Sequence, residues 1–385
     1  MYYRILQLLI ATGLFLSLWI VIPAPIFSLL PLGVAVPEIS PVLMILNGIT
    51  LLLTFFYTSH KIAFRIMLFA TVMSLALTSW PLLQLPHAAK QAKASMQSAL
   101  GSDYLAKVPA AVQKQFRPHP FSLLDVIRQI PLTSIRQDLD IPFAQPEGQI
   151  LTLNVYRPTQ VGIYPAVVIV YGGAWQRGSP SSNAQFSQYL AARGYVVWAI
   201  SYRHAPRYPF PAQIEDLRSA LTFLKNHASK YETDPNRLAL MGRSAGGHLA
   251  MLAAYEPQAI PLRAVVSYYG PIDLAKGYYD PPNPDPINVK SVLETLIGGN
   301  PEQLPEAYKR ASPSSYVQPS LPPTLLVYGG QDHLVQAKFG QRMGQKLRSV
   351  GNTAVMIDIP WAEHAFDAIF SGLSNQFALY YTERF

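Results

Sequence analysis

Hydrophobic side chains dominate the first 86 residues of the chain in three long runs. Residues 5–22, 41–57 and 66–85 contain no charged side chain. The first run would extend about 27 Å as a helix at ~1.5 Å per residue, close to the ~30 Å of a bilayer core. A cleavable signal peptide is the alternative for this run, but two further runs follow it and no small-residue cleavage site closes it. The pattern therefore predicts three transmembrane helices in a membrane region, residues 1–86.

The pattern changes after a predicted juxtamembrane linker at residues 87–132, which is rich in Ala, Lys and Gln. Short runs rich in Val and Ile then alternate with helical patterns, as is typical of a mostly parallel sheet covered by helices on both faces. We therefore expect an α/β domain over residues 133–385, with a lid-like insert in the Pro-rich stretch 274–323. Strands are predicted at 150–156, 166–171, 195–202, 238–241, 264–269, 324–328 and 353–359.

The distribution of charged residues indicates which partners the protein can have and how it is oriented in the membrane. Lys and Arg exceed Asp and Glu by 30 to 22, giving a net charge of +8, but the basic residues are scattered and predict no nucleic-acid partner. Arg4, Lys61 and Arg65 would share one side of the bilayer, which the positive-inside rule makes cytoplasmic. Lys90 and Lys93 favour the opposite orientation. The C-terminal α/β domain is expected outside the cytoplasm. Cysteine is absent, which excludes disulfides and Cys-ligated metals.

The segment Gly242-Arg243-Ser244-Ala245-Gly246-Gly247 lies between an apolar run and an apolar helical stretch. This is the strand, sharp turn and helix of a nucleophile elbow, in which a strained Ser exposes its hydroxyl at the end of a strand. Ser244 is therefore the candidate nucleophile. The pattern is short enough to arise by chance, so its weight depends on the partners that follow it in the chain.

Two such partners follow Ser244 in the order acid, then His. Asp332 comes after the predicted strand 324–328, and His364 after the strand 353–359, so both are expected at the carboxyl edge of the sheet. Asp216 and Asp273 are the other acids considered, and each is assigned a structural role instead. His248 is interpreted as a packed helix residue and His333 as part of a loop rim, and no metal-ligand spacing accompanies them.

A double-glycine turn after the predicted strand 166–171 can supply backbone donors for an oxyanion. Gly173 and Ala174 are the candidate donors there, and Ala245 supplies a third as the residue after the nucleophile. Tyr171, Gly172 and Trp175 are possible pocket residues.

These motifs resemble the alpha/beta-hydrolase esterases of the hormone-sensitive-lipase-like and feruloyl/acetylxylan-esterase-like groups. The segments that carry the resemblance are Tyr171-Gly172-Gly173-Ala174-Trp175, Ser201-Tyr202-Arg203, Pro209-Phe210-Pro211, Asp234-Pro235-Asn236-Arg237 and the elbow with His248. The resemblance implies hydrolysis of a carboxylic ester by Ser244, Asp332 and His364, without a cofactor. Tyr171 departs from the pattern, since the family usually has His there.

Three alternatives remain at this point: an arylformamidase, an aminoacylpeptidase, or a binding protein on an inactive hydrolase fold. Peptidases of this fold usually place Tyr after the nucleophile, so Ala245 favours an ester. The expected partners are a small-molecule or lipid-like ester and, through the N-terminal runs, membrane lipid. The Pro-rich insert favours a small or medium acyl group.

Overall fold

The protein is described here by a computed structural model that covers residues 2–57, 61–257 and 259–385. Eight strands form one sheet at the centre of the C-terminal part. The strands are β1 Arg136–Ala144, β2 Leu151–Arg157, β3 Tyr164–Val170, β4 Val196–Ile200, β5 Thr233–Arg243, β6 Ala264–Tyr268, β7 Thr324–Gly329 and β8 Ala354–Ile359.

Helices precede the sheet and connect its strands. They are α1 Tyr2–Leu18, α2 Leu30–Tyr57, α3 Lys61–Leu100, α4 Ala110–Gln113, α5 Leu123–Arg128, α6 Ala184–Ala191, α7 Ala212–His227, α8 Ala245–Tyr255, α9 Leu274–Tyr279, α10 Val289–Ile297, α11 Pro305–Arg310, α12 Ala337–Ser349 and α13 Leu373–Thr382. Short helices α9 to α11 occupy the expected insert.

The sheet order is β1-β2-β4-β3-β5-β6-β7-β8, antiparallel at the β1 and β2 edge and parallel from β4 to β8. The prediction of an α/β fold with a mostly parallel sheet is confirmed. Val170 pairs with Gly242, and Gly242 with Ser267, so β3, β5 and β6 end at the same level. This alignment brings the loops after these strands to one edge of the sheet.

Neighbouring side chains of β6 show how both faces of the sheet are covered. Successive residues of a strand point to opposite faces. A Cβ added to Gly247 of α8 would lie 2.7 Å from Ser267 Oγ, whereas the ring of Tyr268 contacts Phe186 of α6 with centroids 6.3 Å apart. Helices α6 and α8 therefore pack on opposite faces, and the core lies between each helix layer and the sheet.

Helices α1, α2 and α3 form a three-helix bundle next to the sheet domain. Within the described residues, two helical stretches are long and apolar enough to cross a membrane, Phe27–Phe56 and Lys61–Leu100. The prediction of three transmembrane helices is therefore wrong in the number of helices that are long enough. The first run leaves the helix after Leu18, and residues 19–22 form turns, so α1 has 17 residues where a span needs about 20.

The bundle is apolar outside and polar inside. Asn47 of α2 donates from Nδ2 to Ser17 Oγ of α1 (3.3 Å) and to Thr78 Oγ1 of α3 (3.4 Å), and all three side chains are buried. Phe69 and Ile66 of α3, in contrast, are 69% and 64% exposed. Large apolar groups outside and small polar groups inside are typical of helices that pack in lipid.

Helix α3 extends beyond the bundle into the sheet domain. Residues 87–100, expected as part of a juxtamembrane linker, continue α3 without interruption, even though Pro81 and Pro86 lie inside the helix. Ala88, Ala92 and Met96 are buried in the same core as the sheet, and Ser95 Oγ accepts a hydrogen bond from the Met356 N–H of β8. One rigid helix thus joins the two parts of the molecule.

A second connection is made by Glu38, the one acidic residue of α2. Its carboxyl group is fully buried and accepts a hydrogen bond from the Ser374 N–H, in the first turn of α13 (2.8 Å). A helix N-terminus has free N–H groups and a positive dipole end, so it suits an acidic partner. Glu38 therefore fixes the start of α2 against the sheet domain.

Replacing Glu38 by Ala should lower the free energy of unfolding by about 1 to 3 kcal/mol, because the buried Ser374 N–H loses its acceptor. Glu38→Gln keeps an oxygen acceptor and should cost clearly less. Thermal unfolding of the full chain in detergent measures both variants. Equal melting temperatures for Glu38→Ala and the parent would show that this contact does not hold the two parts together.

Candidate active site

The turn between β5 and α8 places Ser244 in a strained conformation. Its φ and ψ are 50° and −123°, outside the regions that non-glycine residues usually occupy. The strain is maintained by tight packing, because a Cβ on Gly246 would lie 2.0 Å from the Val170 carbonyl oxygen. Helix α8 can thus begin directly against β3, and the Ser244 hydroxyl is turned away from the sheet towards the loops after β7 and β8.

The structure brings Ser244, His364 and Asp332 together, as the sequence order predicts. Ser244 Oγ lies 2.9 Å from His364 Nε2, and His364 Nδ1 lies 2.8 Å from Asp332 Oδ2. Asp332 Oδ1 accepts from the N–H groups of Leu334 (2.8 Å) and Val335 (2.7 Å), which fixes the carboxylate. This is the geometry in which an imidazole can take the proton of a hydroxyl while a carboxylate orients it.

The environment of His364 favours its charged form. Burial by itself lowers the pKa of His364, but the neighbouring carboxylates of Asp332, Glu363 and Asp367 outweigh it, so that the pKa is raised above its usual value of 6.5. The ring of Tyr269 also lies against the imidazole, with centroids 4.5 Å apart. A stabilised imidazolium is what a base needs after it has accepted a proton.

Glu363 supports both loops of this site and was not identified from the sequence. Its Oε1 accepts from the N–H groups of His333 (2.7 Å) and His364 (2.8 Å), and its Oε2 lies 2.6 Å from His333 Nδ1. The hydrogen bond to Glu363 raises the pKa of His333. His333 is therefore a partly buried loop residue that helps to hold the acid and histidine loops together.

A buried ion pair between Arg243 and Asp367 was also missed. Arg243 directly precedes Ser244 in the elbow, and its Nε donates to Asp367, which also accepts from the Tyr269 hydroxyl. The guanidinium lies over the ring of Phe186, 4.2 Å from its centroid. This pair connects the elbow to the loop that carries His364. The charged residue at position 243 was the only available signal, and it did not identify a partner 124 residues away.

The double-glycine turn runs beside the elbow with three successive residues at positive φ: Gly173 (127°), Ala174 (54°) and Trp175 (59°). A Cβ on Gly173 would lie 2.1 Å from the Arg177 carbonyl oxygen, so only glycine fits there. Among residues 2–57, 61–257 and 259–385, the N–H groups of Gly173 and Ala174 form no backbone hydrogen bond. Ala245 begins α8, so its N–H has no intrahelical partner either.

Tyr171, which directly precedes this turn, is held in place by contacts with Tyr202 and His204. Its ring stacks on Tyr202 with centroids 4.5 Å apart, and its hydroxyl lies 2.9 Å from His204 Nε2. Tyr202 in turn donates from its hydroxyl to the Tyr171 carbonyl oxygen (3.2 Å). Burial raises the pKa of Tyr171 and lowers that of His204, so both are neutral and can share one hydrogen bond. Tyr171 and His204 thus form a hydrogen-bonded pair next to the double-glycine turn.

Three further residues have structural roles, as interpreted from the sequence. His248 accepts from Trp175 Nε1 at Nδ1 (3.2 Å) and donates from Nε2 to the Ala311 carbonyl (2.6 Å), and burial lowers its pKa to about 4. Asp216 accepts from the N–H and the guanidinium of Arg203. Asp273 caps α9 by accepting from the Lys276 N–H.

A cavity of ≈ 830 Å³ opens above Ser244 and His364. Gly172 and Trp175 contribute to its floor, helices α9 and α10 to its roof, and Leu334 and Phe339 to one side. Two residues of the N-terminal region, Phe27 and Leu30, also line it. Lys338 of α12 and Asp280, directly after α9, form an ion pair (2.7 Å) that ties the roof to the sheet domain. Within the described part of the chain, no group of three or more His, Cys, Asp or Glu side chains is arranged to bind a metal.

Comparison with known proteins identifies relatives of the C-terminal part. The family model BD-FAE matches residues 153–347. The chain is 29% identical over 331 residues to the probable carboxylic ester hydrolase LipM of Mycobacterium tuberculosis, covering 79% of this chain and 74% of LipM. The aligned part of this chain is longer than residues 133–385, so the similarity extends into residues before 133. The esterase LipC of the same organism is 32% identical over 235 residues, covering 56% of this chain and 57% of LipC.

A solved structure with a similar fold is the thermophilic esterase Est2 of Thermogutta terrifontis with bound butyrate. It is 25% identical, has a TM-score of 0.50, and the alignment covers 62% of this chain and 86% of Est2.

The contacts of His364 predict its titration. Its pKa should lie above 6.5 and should fall when Asp332 is changed to Asn, because that change removes the main favourable charge beside the imidazolium. Histidine NMR measures the pKa, with the His364 resonance assigned as the one lost in His364→Gln. The matched control is Asp216→Asn, whose carboxylate pairs with Arg203 and should leave the His364 titration unchanged. Equal pKa values in the parent and Asp332→Asn would contradict the assignment.

Proposed function

Because the chain belongs to the BD-FAE family of alpha/beta-hydrolase esterases, we propose that it is a serine carboxylesterase that forms an acyl-enzyme on Ser244. The observation that carries the proposal is the chain of contacts from Ser244 Oγ through the imidazole of His364 to the carboxylate of Asp332. The three residues lie on separate loops. The hydroxyl of Ser244 contacts the imidazole that would take its proton, and that imidazole contacts the carboxylate that would orient it. The complete set argues against a binding protein on an inactive hydrolase fold.

In the proposed reaction, Ser244 Oγ attacks the ester carbonyl carbon while His364 Nε2 takes the hydroxyl proton. The new C–O bond leaves a negative charge on the carbonyl oxygen, and the N–H groups of Gly173, Ala174 and Ala245 are the proposed donors to it. The bond to the alcohol then breaks, and His364 returns the proton to the leaving oxygen.

Water completes the cycle. His364 takes a proton from the attacking water, the acyl–oxygen bond to Ser244 breaks, and the carboxylic acid leaves as Ser244 regains its proton. The Asp332 carboxylate holds His364 in the tautomer with a free Nε2. Arg243, Asp367 and Glu363 are proposed as positioning residues, because the Arg243–Asp367 ion pair joins the elbow to the histidine loop and Glu363 accepts from the His364 N–H.

We further propose that the N-terminal bundle anchors the enzyme in a membrane. Two apolar helices of sufficient length and the exposed apolar side chains around a polar interior support this. The sheet domain packs against the end of the bundle that is remote from Lys61 and Arg65, at the start of α3. With these basic residues on the cytoplasmic side, the catalytic domain lies outside the cytoplasm.

Ser244→Ala should abolish ester hydrolysis and labelling by a fluorophosphonate probe, because it removes the covalent centre and no core volume. Ser349→Ala, an exposed serine at the end of α12, is the matched control and should keep both signals. Hydrolysis of p-nitrophenyl butyrate and in-gel probe fluorescence measure the two effects. Undiminished turnover in Ser244→Ala would overturn the proposed mechanism.

The absence of cysteine allows a clean test of orientation. Ser219→Cys places a thiol on the exposed face of α7, and Lys61→Cys places one at the start of α3. In intact cells, or spheroplasts where an outer membrane is present, a membrane-impermeant maleimide should label Ser219→Cys and not Lys61→Cys. The reverse labelling pattern would place the catalytic domain in the cytoplasm.

A further inference from the structure

We propose that the substrate is an ester of a bilayer lipid, whose long acyl chain enters the cavity from the membrane past Phe27 and Leu30. This inference rests on the proposed function and adds to it a substrate class and a route. It departs from the small or medium acyl group that the Pro-rich insert suggested. The sequence could not indicate that residues of the N-terminal region line the site.

The cavity is larger than a short acyl group requires. Its ≈ 830 Å³ lies near the upper end of the ~300–1,000 Å³ that is usual for ligand pockets. The roof is aliphatic, formed on the insert side by Ile287, Val289, Val292 and Leu293. Such a wall offers few hydrogen-bond partners to a sugar or a peptide, and it suits a hydrocarbon chain.

The N-terminal region forms one wall of this cavity. Leu30, the first residue of α2, is buried with Ala24 and Val34, and this cluster packs against Leu334, two residues after Asp332. Phe27 lies just before α2 and lines the same cavity. The connection between α1 and α2 therefore reaches the neighbourhood of the catalytic acid, so the bundle is part of the site as well as an anchor.

The outer side of the same connection is an exposed apolar surface. Val21, Ile22, Ile26 and Phe27 are 51%, 46%, 54% and 46% exposed. Four large apolar side chains within seven residues would be unfavourable in water, and they continue the exposed apolar surface of α1, where Phe15 is 54% exposed. Phe27 belongs both to this exposed apolar surface and to the lining of the cavity. An acyl chain can therefore pass from lipid to Ser244 along apolar side chains without crossing water.

The polar end of a lipid ester also finds a suitable group at this place. Arg177 is exposed, lines the cavity, and its guanidinium lies 4.8 Å from the centroid of the Phe27 ring. Basic side chains with long stems are favoured where a bilayer meets water, because the stem stays in the apolar layer and the charge reaches the headgroups. Phe27 and Arg177 thus mark the level of the interface at the cavity mouth.

The test compares two esters with the same leaving group on the full chain, reconstituted in vesicles of dioleoylphosphatidylcholine. p-Nitrophenyl palmitate is dissolved in the bilayer, and p-nitrophenyl acetate is supplied from water. Phe27→Ser should lower the ratio of palmitate to acetate kcat/KM by roughly ten-fold, since one apolar contact of the entering chain is lost. Ile26→Ser, which changes the residue next to Phe27 on the same exposed apolar surface, should also lower the ratio.

Phe69→Ser is the matched control, because Phe69 is an exposed aromatic residue of the bundle (69%, against 46% for Phe27) that does not line the cavity. It should leave the ratio unchanged. Fluorophosphonate labelling of Ser244 in each variant verifies that the site is folded. An unchanged ratio in a labelled Phe27→Ser, or acetate hydrolysis without palmitate hydrolysis in the parent, would overturn the lipid route alone. Absence of labelling and of acetate hydrolysis in the parent would overturn the proposed function itself.

Discussion

The close approach of α8 to β3 is the constraint on which the geometry of the site depends. Only a residue without a side chain can occupy position 246, where a Cβ would meet the Val170 carbonyl oxygen at 2.0 Å. This contact lets α8 begin immediately after β5, and Ser244 is left at a φ of 50° with its hydroxyl exposed. The same elbow lies beside the double-glycine turn, since a Cβ on Gly172 would lie 3.0 Å from Ser244 Cβ, so the proposed nucleophile and the proposed backbone donors are positioned by one packing arrangement.

The N-terminal helices and the sheet domain are built as one structure. Glu38 joins α2 to the first turn of α13, Ala88 and Met96 of α3 are part of the sheet-domain core, and Leu30 packs against Leu334, two residues after the proposed catalytic acid Asp332. A flexible tether would need none of these contacts. Their combined effect is to fix the orientation of the cavity mouth relative to the apolar surface of the bundle.

Sequence reasoning was most reliable where local pattern and position along the chain agree. Ser244, Asp332 and His364 each follow a strand of the parallel sheet, and parallel strands end at one edge, so their meeting could be predicted. Asp367 and Glu363 were not identified, because their partners Arg243 and His333 are distant in the chain and nothing local marks the pairing. The unbroken helix α3 was missed because Pro81, Pro86 and the polar residues after them resemble the end of a span, whereas packing against β8 extends the helix to Leu100.

The proposed mechanism depends on transfer of the ester's acyl group to Ser244. Rapid acid quenching during turnover of p-nitrophenyl butyrate, followed by intact-mass and peptide mass spectrometry, tests it directly. We expect an added butyryl group on the peptide that contains Ser244, in an amount that rises to a steady level as turnover begins. Turnover without an acylated intermediate, or a butyryl group on a different residue, would contradict it.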